Sequence, residues 1–304
     1  MSTTLSAPAE HREPETHPSR PSRSFRRWWR DLGWRHVVGI LGAAVALFPL
    51  LYILSAALNP VGTVGGSLLP AQLSLENFET LFSGERGPFL RWMGNSLMVA
   101  AAVGAGQVLC STLAAYAFSR FRFRGRRAGL LGVLLIQMFP QFLATVALFT
   151  LVADFGEVVP AVGLNTLLGY GLVLMGGSLA QVWLLKGFFD TLPREIDEAA
   201  TLDGAGHARI FWQIVLPLAR PVLAITALLS VIGVLGDFIL SSIFLTDDSV
   251  KTLAVGLHGM VLGNQSENFG AFSAGCIVIA VPVIVLFLWL QRYIIGGLSA
   301  GSTK

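Results

Sequence analysis

The sequence predicts an all-α membrane protein with six transmembrane helices, and three observations carry that prediction. Six apolar runs are long enough to cross a hydrocarbon core about 30 Å thick, which takes about 20 helical residues. Only 13% of the 304 residues are charged and 54% are hydrophobic, against about 25% charged in soluble domains. The basic residues gather in every second connection between the runs instead of spreading along the chain.

The spans fall near 37–58, 94–118, 128–152, 165–185, 221–245 and 273–295. Inside lipid each must satisfy its own backbone, which runs of this length do only as helices. Residues 1–24 are rich in Pro, Ser, Glu, Arg and His, a composition that buries too little apolar surface to fold. We therefore expect a disordered basic tail over 1–36. It is too polar, and too long before the first span, to be a cleaved signal peptide. Phe25, Trp28, Trp29 and Trp34 sit among Arg26, Arg27, Arg30 and Arg35. They form either a segment lying in the lipid surface or a charge cluster that only orients the first span.

Gly and polar residues interrupt spans two to four. Gln107, Gln137, Gln141 and Gln181 either line a pathway or hydrogen-bond between spans. Pro140 and Pro282 are expected to kink their helices. Cys110 and Cys276 lie inside spans, so they read as small packing residues and not as a disulfide framework or metal ligands. Of 21 Lys and Arg residues, seven precede residue 37, five lie between Arg120 and Arg127, four between Lys186 and Arg220, and two at the C-terminal end. Only Arg86, Arg91 and Lys251 fall in the other connections. The positive-inside rule therefore places both termini and the 187–220 loop in the cytoplasm. The net charge of +3 follows that asymmetry, and nothing in it points to nucleic acid.

The 187–220 loop is polar between two long apolar runs. Pro193 suits the first turn of a helix, and Glu195, Asp197 and Glu198 suit the positive end of its dipole. Ile196, Ala199 and Ala200 recur at spacings of three and four, giving one small apolar face. Asp203-Gly204 stops the helix, because Gly accepts the left-handed cap. A second short helix runs through Ile210 to Ile214 until Pro217. The expected product is a compact helix over 193–205 in the headgroup plane, with an Ala-lined face shallow enough to seat in another protein's groove.

The skeleton Glu198-Ala199-Ala200, three residues, Gly204, nine residues, Ile214, then Leu216-Pro217 resembles the cytoplasmic EAA loop of permease subunits of ATP-binding-cassette (ABC) importers, with Asp203 and Ala205 also matching. That resemblance implies the ABC importer permease fold (MetI/MalG-like), with 37–295 as the six-span permease domain. It implies that Glu198, Ala199, Ala200, Asp203, Gly204, Ile214, Leu216 and Pro217 couple the chain to a separate ATPase. Glu198 would pair with a basic residue there. ATP and Mg would belong to that partner, leaving no cofactor in this chain.

From about residue 37 onward the likeness is to sugar permeases, within them the maltose/maltodextrin permease subunits of the MalG group. Residues 238–257, FILSSIFLTDDSVKTLAVGL, and 291–304, QRYIIGGLSAGSTK, carry it. The group implies a MalF-like second permease, a MalK-like ATPase dimer, an extracytoplasmic sugar-binding protein and an oligosaccharide cargo in a lipid bilayer. It implies that Gly263, Asn264, Gln265, Ser266, Glu267 and Asn268 reach into the binding protein's sugar cleft, where amides and carboxylates compete for hydroxyls. By composition alone the same six residues suit a solvated connector. The cytoplasmic tail 296–304 would touch the ATPase pair.

Asp237, midway along the expected fifth span, departs from the Asn usual in the family. It is costly there unless it meets a cavity or a partner; it either binds a sugar hydroxyl or ties spans together. With Gln137 it is the candidate for pathway lining. Residues 234–237, VLGD, lack the first Gly of the intramembrane aspartyl protease signature GxGD, so no catalytic residue is assigned. Gly296–Thr303 lacks the Lys of a phosphate loop. An ion-coupled secondary transporter would also carry polar residues in its spans, but leaves the EAA loop unexplained. The sequence thus predicts the permease subunit of an importer for maltose/maltodextrin-type oligosaccharides, with trehalose and other glycosides as alternatives.

Overall fold

Apolar residues without water to bond their backbone have little choice but to coil, and a computed structural model, which describes residues 29–60, 72–263 and 265–300, contains helices and no strand among those residues. The chain divides into two compact units, residues 1–50 and 51–304. In the first, a wide turn at Trp29–Gly33 leads into α1, Trp34–Leu58. Every residue of α1 within this unit is exposed, and a helix apolar on all sides is what lipid accepts. Phe25 and Trp28 of the expected lipid-surface segment lie outside the described residues.

The second unit takes the last turns of α1 and all that follows. Its elements are α2 (Glu76–Ser83), α3 (Phe89–Arg120), α4 (Arg126–Met138) and α5 (Gln141–Val158). Then come α6 (Leu167–Leu174) and α7 (Ser178–Thr191), joined by a 3-10 turn, and the short α8 (Arg194–Leu202). Next is α9 (His207–Ile210), which continues through a π-turn to Leu218. The chain finishes with α10 (Arg220–Leu235), α11 (Ile239–Phe244), α12 (Leu253–Gly263) and α13 (Gln265–Ala300).

The axis of the unit is α3. Its 32 residues rise about 48 Å at about 1.5 Å each, more than a hydrocarbon core requires. It packs against α6, α7, α10 and α12. Three apolar clusters follow one another along it. Phe89 and Trp92 meet Ala57, Leu81, Leu257 and Ala274; Val99, Ala100 and Val103 meet Tyr170, Val234 and Phe244; Ala115 and Tyr116 meet Leu185, Phe189, Phe211 and Val215.

Four helices are long and apolar enough to cross a membrane: Trp34–Leu58, Phe89–Arg120, Leu167–Thr191 and Asn268–Ile294. The count reaches six when two bent pairs each serve as one span. The expected third span is not straight: its halves meet at 102° across Phe139-Pro140. Pro140 offers no N–H and holds Phe139 extended, at φ −74° and ψ 127°. The expected fifth span is also broken, since α10 ends at Leu235 and α11 begins at Ile239. Pro282, by contrast, sits inside the continuous α13. That helix runs to Ala300, five residues into the segment read as tail. Cys110 is exposed on α3 while Cys276 is half-buried, so the packing role fits only the second.

Close approach of α12 to α3 depends on Gly256. A Cβ there would lie 2.1 Å from Trp92 Cε3, whereas one at Gly259 on the same helix would meet nothing within 4 Å. Gly256→Val should therefore lower stability by about 1–3 kcal/mol through overpacking. Gly259→Val should show only the small cost of a β-branched residue. Thermal unfolding of the two purified variants in detergent compares them; equal melting temperatures would contradict this packing.

Candidate coupling site

The EAA stretch forms α8. Its helix begins after Pro193 with Glu195 and Asp197 in the first turn, where the dipole favours negative charge. It ends at Gly204, whose φ is +80°. Gly204 N–H donates to the Thr201 carbonyl at 3.0 Å and Ala205 N–H to the Ala200 carbonyl at 2.9 Å. These two bonds make a Schellman cap, and Ala205 packs beside Ala200 in the same apolar cluster.

The expected Ala-lined outer face is corrected. Ala200 is buried in the chain's own core beside Ile210 and Phe211, and Ile196 is half-buried. Ala199 stays exposed one residue before the buried Ala200, so the boundary between core and surface runs between them. The surface turned outward carries Glu198, Ala199 and Leu202, and Leu202 is 90% exposed. Asp203 is exposed at the cap, while Ile214 and Leu216 are half-buried. The second short helix does not stop at Pro217. It widens to a π-turn over Phe211–Val215, with Leu216 N–H donating to the Phe211 carbonyl, and carries Pro217 inside its last turn. Proline has no N–H for the residue four back, so it sits where the regular ladder is already interrupted.

α8 is held in place by Arg120, which the sequence marks only as an orienting charge, together with Asp197 and residues of α3 and α7 that the sequence does not single out. Arg120 Nε lies 2.7 Å from Asp197 Oδ2, with side chains 7% and 19% exposed. The N–H is off line to that oxygen, so charge more than a straight hydrogen bond holds the pair. Arg120 Nη2 also donates to the Leu192 carbonyl at 3.2 Å. Ser119 Oγ donates to Asp190 Oδ1 at 2.6 Å, and Lys186 pairs with the same carboxylate. Arg194 Nη2 donates to the Ser119 carbonyl at 3.4 Å. Together these fasten the α7–α8 turn to the last turn of α3. An open cavity of about 470 Å³ lies beside this joint, lined by Tyr116, Arg120, Arg194, Glu198, Leu202 and His207 among others. Asp197, three residues before the buried Ala200 on the same helix face, was the available signal.

The pathway candidates whose side chains are described each make hydrogen bonds within the chain. Asp237 sits in the break between α10 and α11. Its Oδ2 accepts from Tyr170 Oη at 2.8 Å and from Ser241 N–H in the first turn of α11 at 3.0 Å. Gln137 Nε2 donates to the Leu179 carbonyl at 2.8 Å, and Gln107 Nε2 to the Leu174 carbonyl at 2.7 Å. Gln181 bridges Ser230 and Ser111. The Gln141 side chain lies outside the described residues.

At the far end of α3 the chain is stitched again. Trp92 Nε1 donates to the Asp248 carbonyl at 3.0 Å. Asn95 Nδ2 donates to the carbonyls of Ser249 at 3.1 Å and Lys251 at 3.0 Å. Ser96 Oγ accepts from Leu253 N–H at 2.7 Å. The 263–268 segment is not a six-residue loop: Gly263 ends α12, Gln265 starts α13, and Asn268 Nδ2 donates to the Met260 carbonyl at 2.6 Å. Asn264 and the side chains of Gln265, Ser266 and Glu267 lie outside the described residues.

A family model described as the inner membrane component of binding-protein-dependent transport systems matches residues 107–299. The chain belongs to this family. It is 38% identical over 280 residues to the maltose/maltodextrin transport system permease protein MalG of Escherichia coli K12, covering 88% of this chain and 94% of that one. It is 39% identical over 265 residues to the galactooligosaccharides transport system permease protein GanQ of Bacillus subtilis, covering 86% and 92%. Its fold is similar to that of a bacterial ABC transporter involved in import of the acidic polysaccharide alginate. There the TM-score is 0.71 at 22% identity, over 88% of this chain and 98% of that one. The chain is thus a multi-pass permease subunit of the cell membrane and not an enzyme, because ATP hydrolysis in these systems resides on a separate subunit.

The Schellman cap yields a test of how α8 is set. Gly204→Val must adopt a left-handed backbone that costs roughly 1–2 kcal/mol or more for a side chain of this kind. We expect it to insert normally but to lose most transport. Gly206, at φ −75°, should accept Ala with transport near the parental rate; similar losses in both variants would discount the cap.

Proposed function

We propose that this permease subunit imports maltose/maltodextrin-type oligosaccharides, pairing with a MalF-like second permease, a MalK-like ATPase dimer and an extracytoplasmic sugar-binding protein. The single observation that carries the coupling role is the exposed ridge of Glu198, Ala199 and Leu202 on a helix anchored to α3. An ATPase groove takes that ridge, with Glu198 facing a basic side chain and Leu202 entering an apolar pocket. Asp203 and Gly204 shape its end; Ala200, Ile214, Leu216 and Pro217 support it from beneath. The likeness to MalG supports the sugar class, and ATP with Mg belongs to the ATPase. At the opposite face, Gly263, Asn264, Gln265, Ser266, Glu267 and Asn268 meet the binding protein. The likeness to GanQ supports galactooligosaccharides as the second reading. Competition of labelled maltotriose uptake by unlabelled maltodextrins and by galactooligosaccharides, in cells lacking and then regaining only this gene, separates the two.

The α8 end faces the cytoplasm in this reading, because the connections there hold most of the basic residues. In a Cys110→Ser/Cys276→Ser background, a membrane-impermeant maleimide should label Gln265→Cys in intact cells and spare Gly206→Cys. The reverse pattern would invert the topology.

Glu198→Lys sets like charges together at the expected contact, which costs several kcal/mol at an interface. The variant should insert, yet retain no more than about a hundredth of the parental uptake and fail to co-purify its ATPase. Parental uptake by this variant would remove Glu198 from the docking surface.

A further inference from the structure

We infer that Arg120 and Asp197 are positioning residues that tie α8 to α3, and that α3 relays motion at α8 to the 248–253 segment at the other end. The inference rests on the importer reading above. A docking helix transmits only through what it is attached to, and the attachments of α8 are unequal. Its link to α7 is the turn at Leu192-Pro193, whose carbonyl is itself held by Arg120. Its link to α9 is the Gly204 cap, which leaves Gly206 and His207 exposed. Its link to α3 is a charge pair screened from solvent, supported by Arg194 on the Ser119 carbonyl and Ser119 on Asp190. The stiffest path from α8 therefore leads into the end of α3.

From that end α3 runs without a proline to Phe89 and takes part in all three apolar clusters. A continuous helix so packed moves as a body, since close-packed interiors transmit displacement with little compression. At its other end it packs against α12 and also holds four backbone groups, the carbonyls of Asp248, Ser249 and Lys251 and the N–H of Leu253. Those bonds fix a non-helical stretch that leads straight into α12 and so toward residues 263–268. A shift of α3 along or about its axis must carry that stretch with it or break four hydrogen bonds at once. One rod thus joins the face that meets the ATPase to the face that meets the binding protein.

The assembled importer in proteoliposomes, carrying Ser249→Cys with Cys110→Ser and Cys276→Ser, tests this. The rate of labelling by an impermeant maleimide is compared with and without a non-hydrolysable ATP analogue and Mg²⁺. In the parent the rate should change on adding nucleotide. In Arg120→Gln that change should shrink about fivefold or more, the lower range of a typical coupling between sites. Sugar carried per ATP should fall alongside, while ATPase co-purification and basal hydrolysis persist. Arg120→Lys, which keeps the charge beside Asp197, should restore the change; a merely structural role would not separate assembly from response in this way. If Arg120→Gln does not assemble because Asp197 is left charged and buried, Asp197→Asn, which keeps an acceptor for Arg120, is read by the same measure. A parental response in an assembled variant overturns the relay alone. No response to nucleotide in the parent overturns the importer reading, and the relay falls with it.

Discussion

A backbone group without a partner costs several kcal/mol in hydrocarbon, and this constraint decides where the helices of the larger unit are allowed to break. Several interruptions bring their own side-chain donor or acceptor. Where α1 ends, buried Asn77 donates to the carbonyls of Ala57 and Asn59 at 3.1 and 2.6 Å. Where α10 gives way to α11, Asp237 takes the Ser241 N–H. Where α11 ends, Asn165 Oδ1 accepts from the N–H groups of Thr246 and Asp247 at 2.7 and 3.1 Å. Asn165 reaches them from a left-handed backbone at φ 56°, a conformation Asn tolerates better than most residues. The same logic explains Asn95 and Trp92 at the 248–251 carbonyls. Amides, an indole and one carboxylate thus satisfy backbone groups that the helix breaks leave open.

The α8 joint obeys the same rule in a different currency of charge. Removing Arg120 and Asp197 from water is costly, and a buried ion pair is poor evidence for stability. Its value is positional: of the three connections of α8, it alone fixes the helix to an element that spans the whole unit. The Schellman cap then sets the exit direction of the chain, so that Ala200 and Ala205 close the underside while Glu198 and Leu202 stay outward. The exposed ridge and the anchorage are opposite sides of one nine-residue helix.

The helical class, the membrane class and the place of the EAA helix were legible in the sequence because they rest on composition, periodicity and a fixed spacing. Apolar content set the spans; Pro193 and Gly204 bounded α8 at both ends. What the sequence did not reveal depends on partners distant in the chain. The break at Asp237 looks like the middle of a span because its neighbours are apolar; only the Tyr170 hydroxyl and the Ser241 N–H, brought near by the fold, give its carboxylate partners there. The same holds for Arg120, one of five arginines in eight residues, whose neighbours Arg122, Arg124 and Arg127 are exposed. Orienting charge and structural charge have identical one-letter signatures. The Ala face failed for a tertiary reason: Ala200 is covered by Ile210 and Phe211, which the periodicity of α8 alone does not show.

The polar residues of the spans bear on where cargo is recognised. The amide donors of Gln107, Gln137 and Gln181 are spent on carbonyls or hydroxyls of neighbouring helices, and Asp237 is committed to Tyr170 and Ser241. A sugar hydroxyl that takes over one of these bonds displaces a contact that also holds two helices together, so that exchange gains little. Recognition is cheaper where polar groups are not already structural, at the surface this chain shares with its permease partner and in the binding protein. In the reading proposed here, this chain contributes chiefly a rigid half of the passage and the lever that moves it.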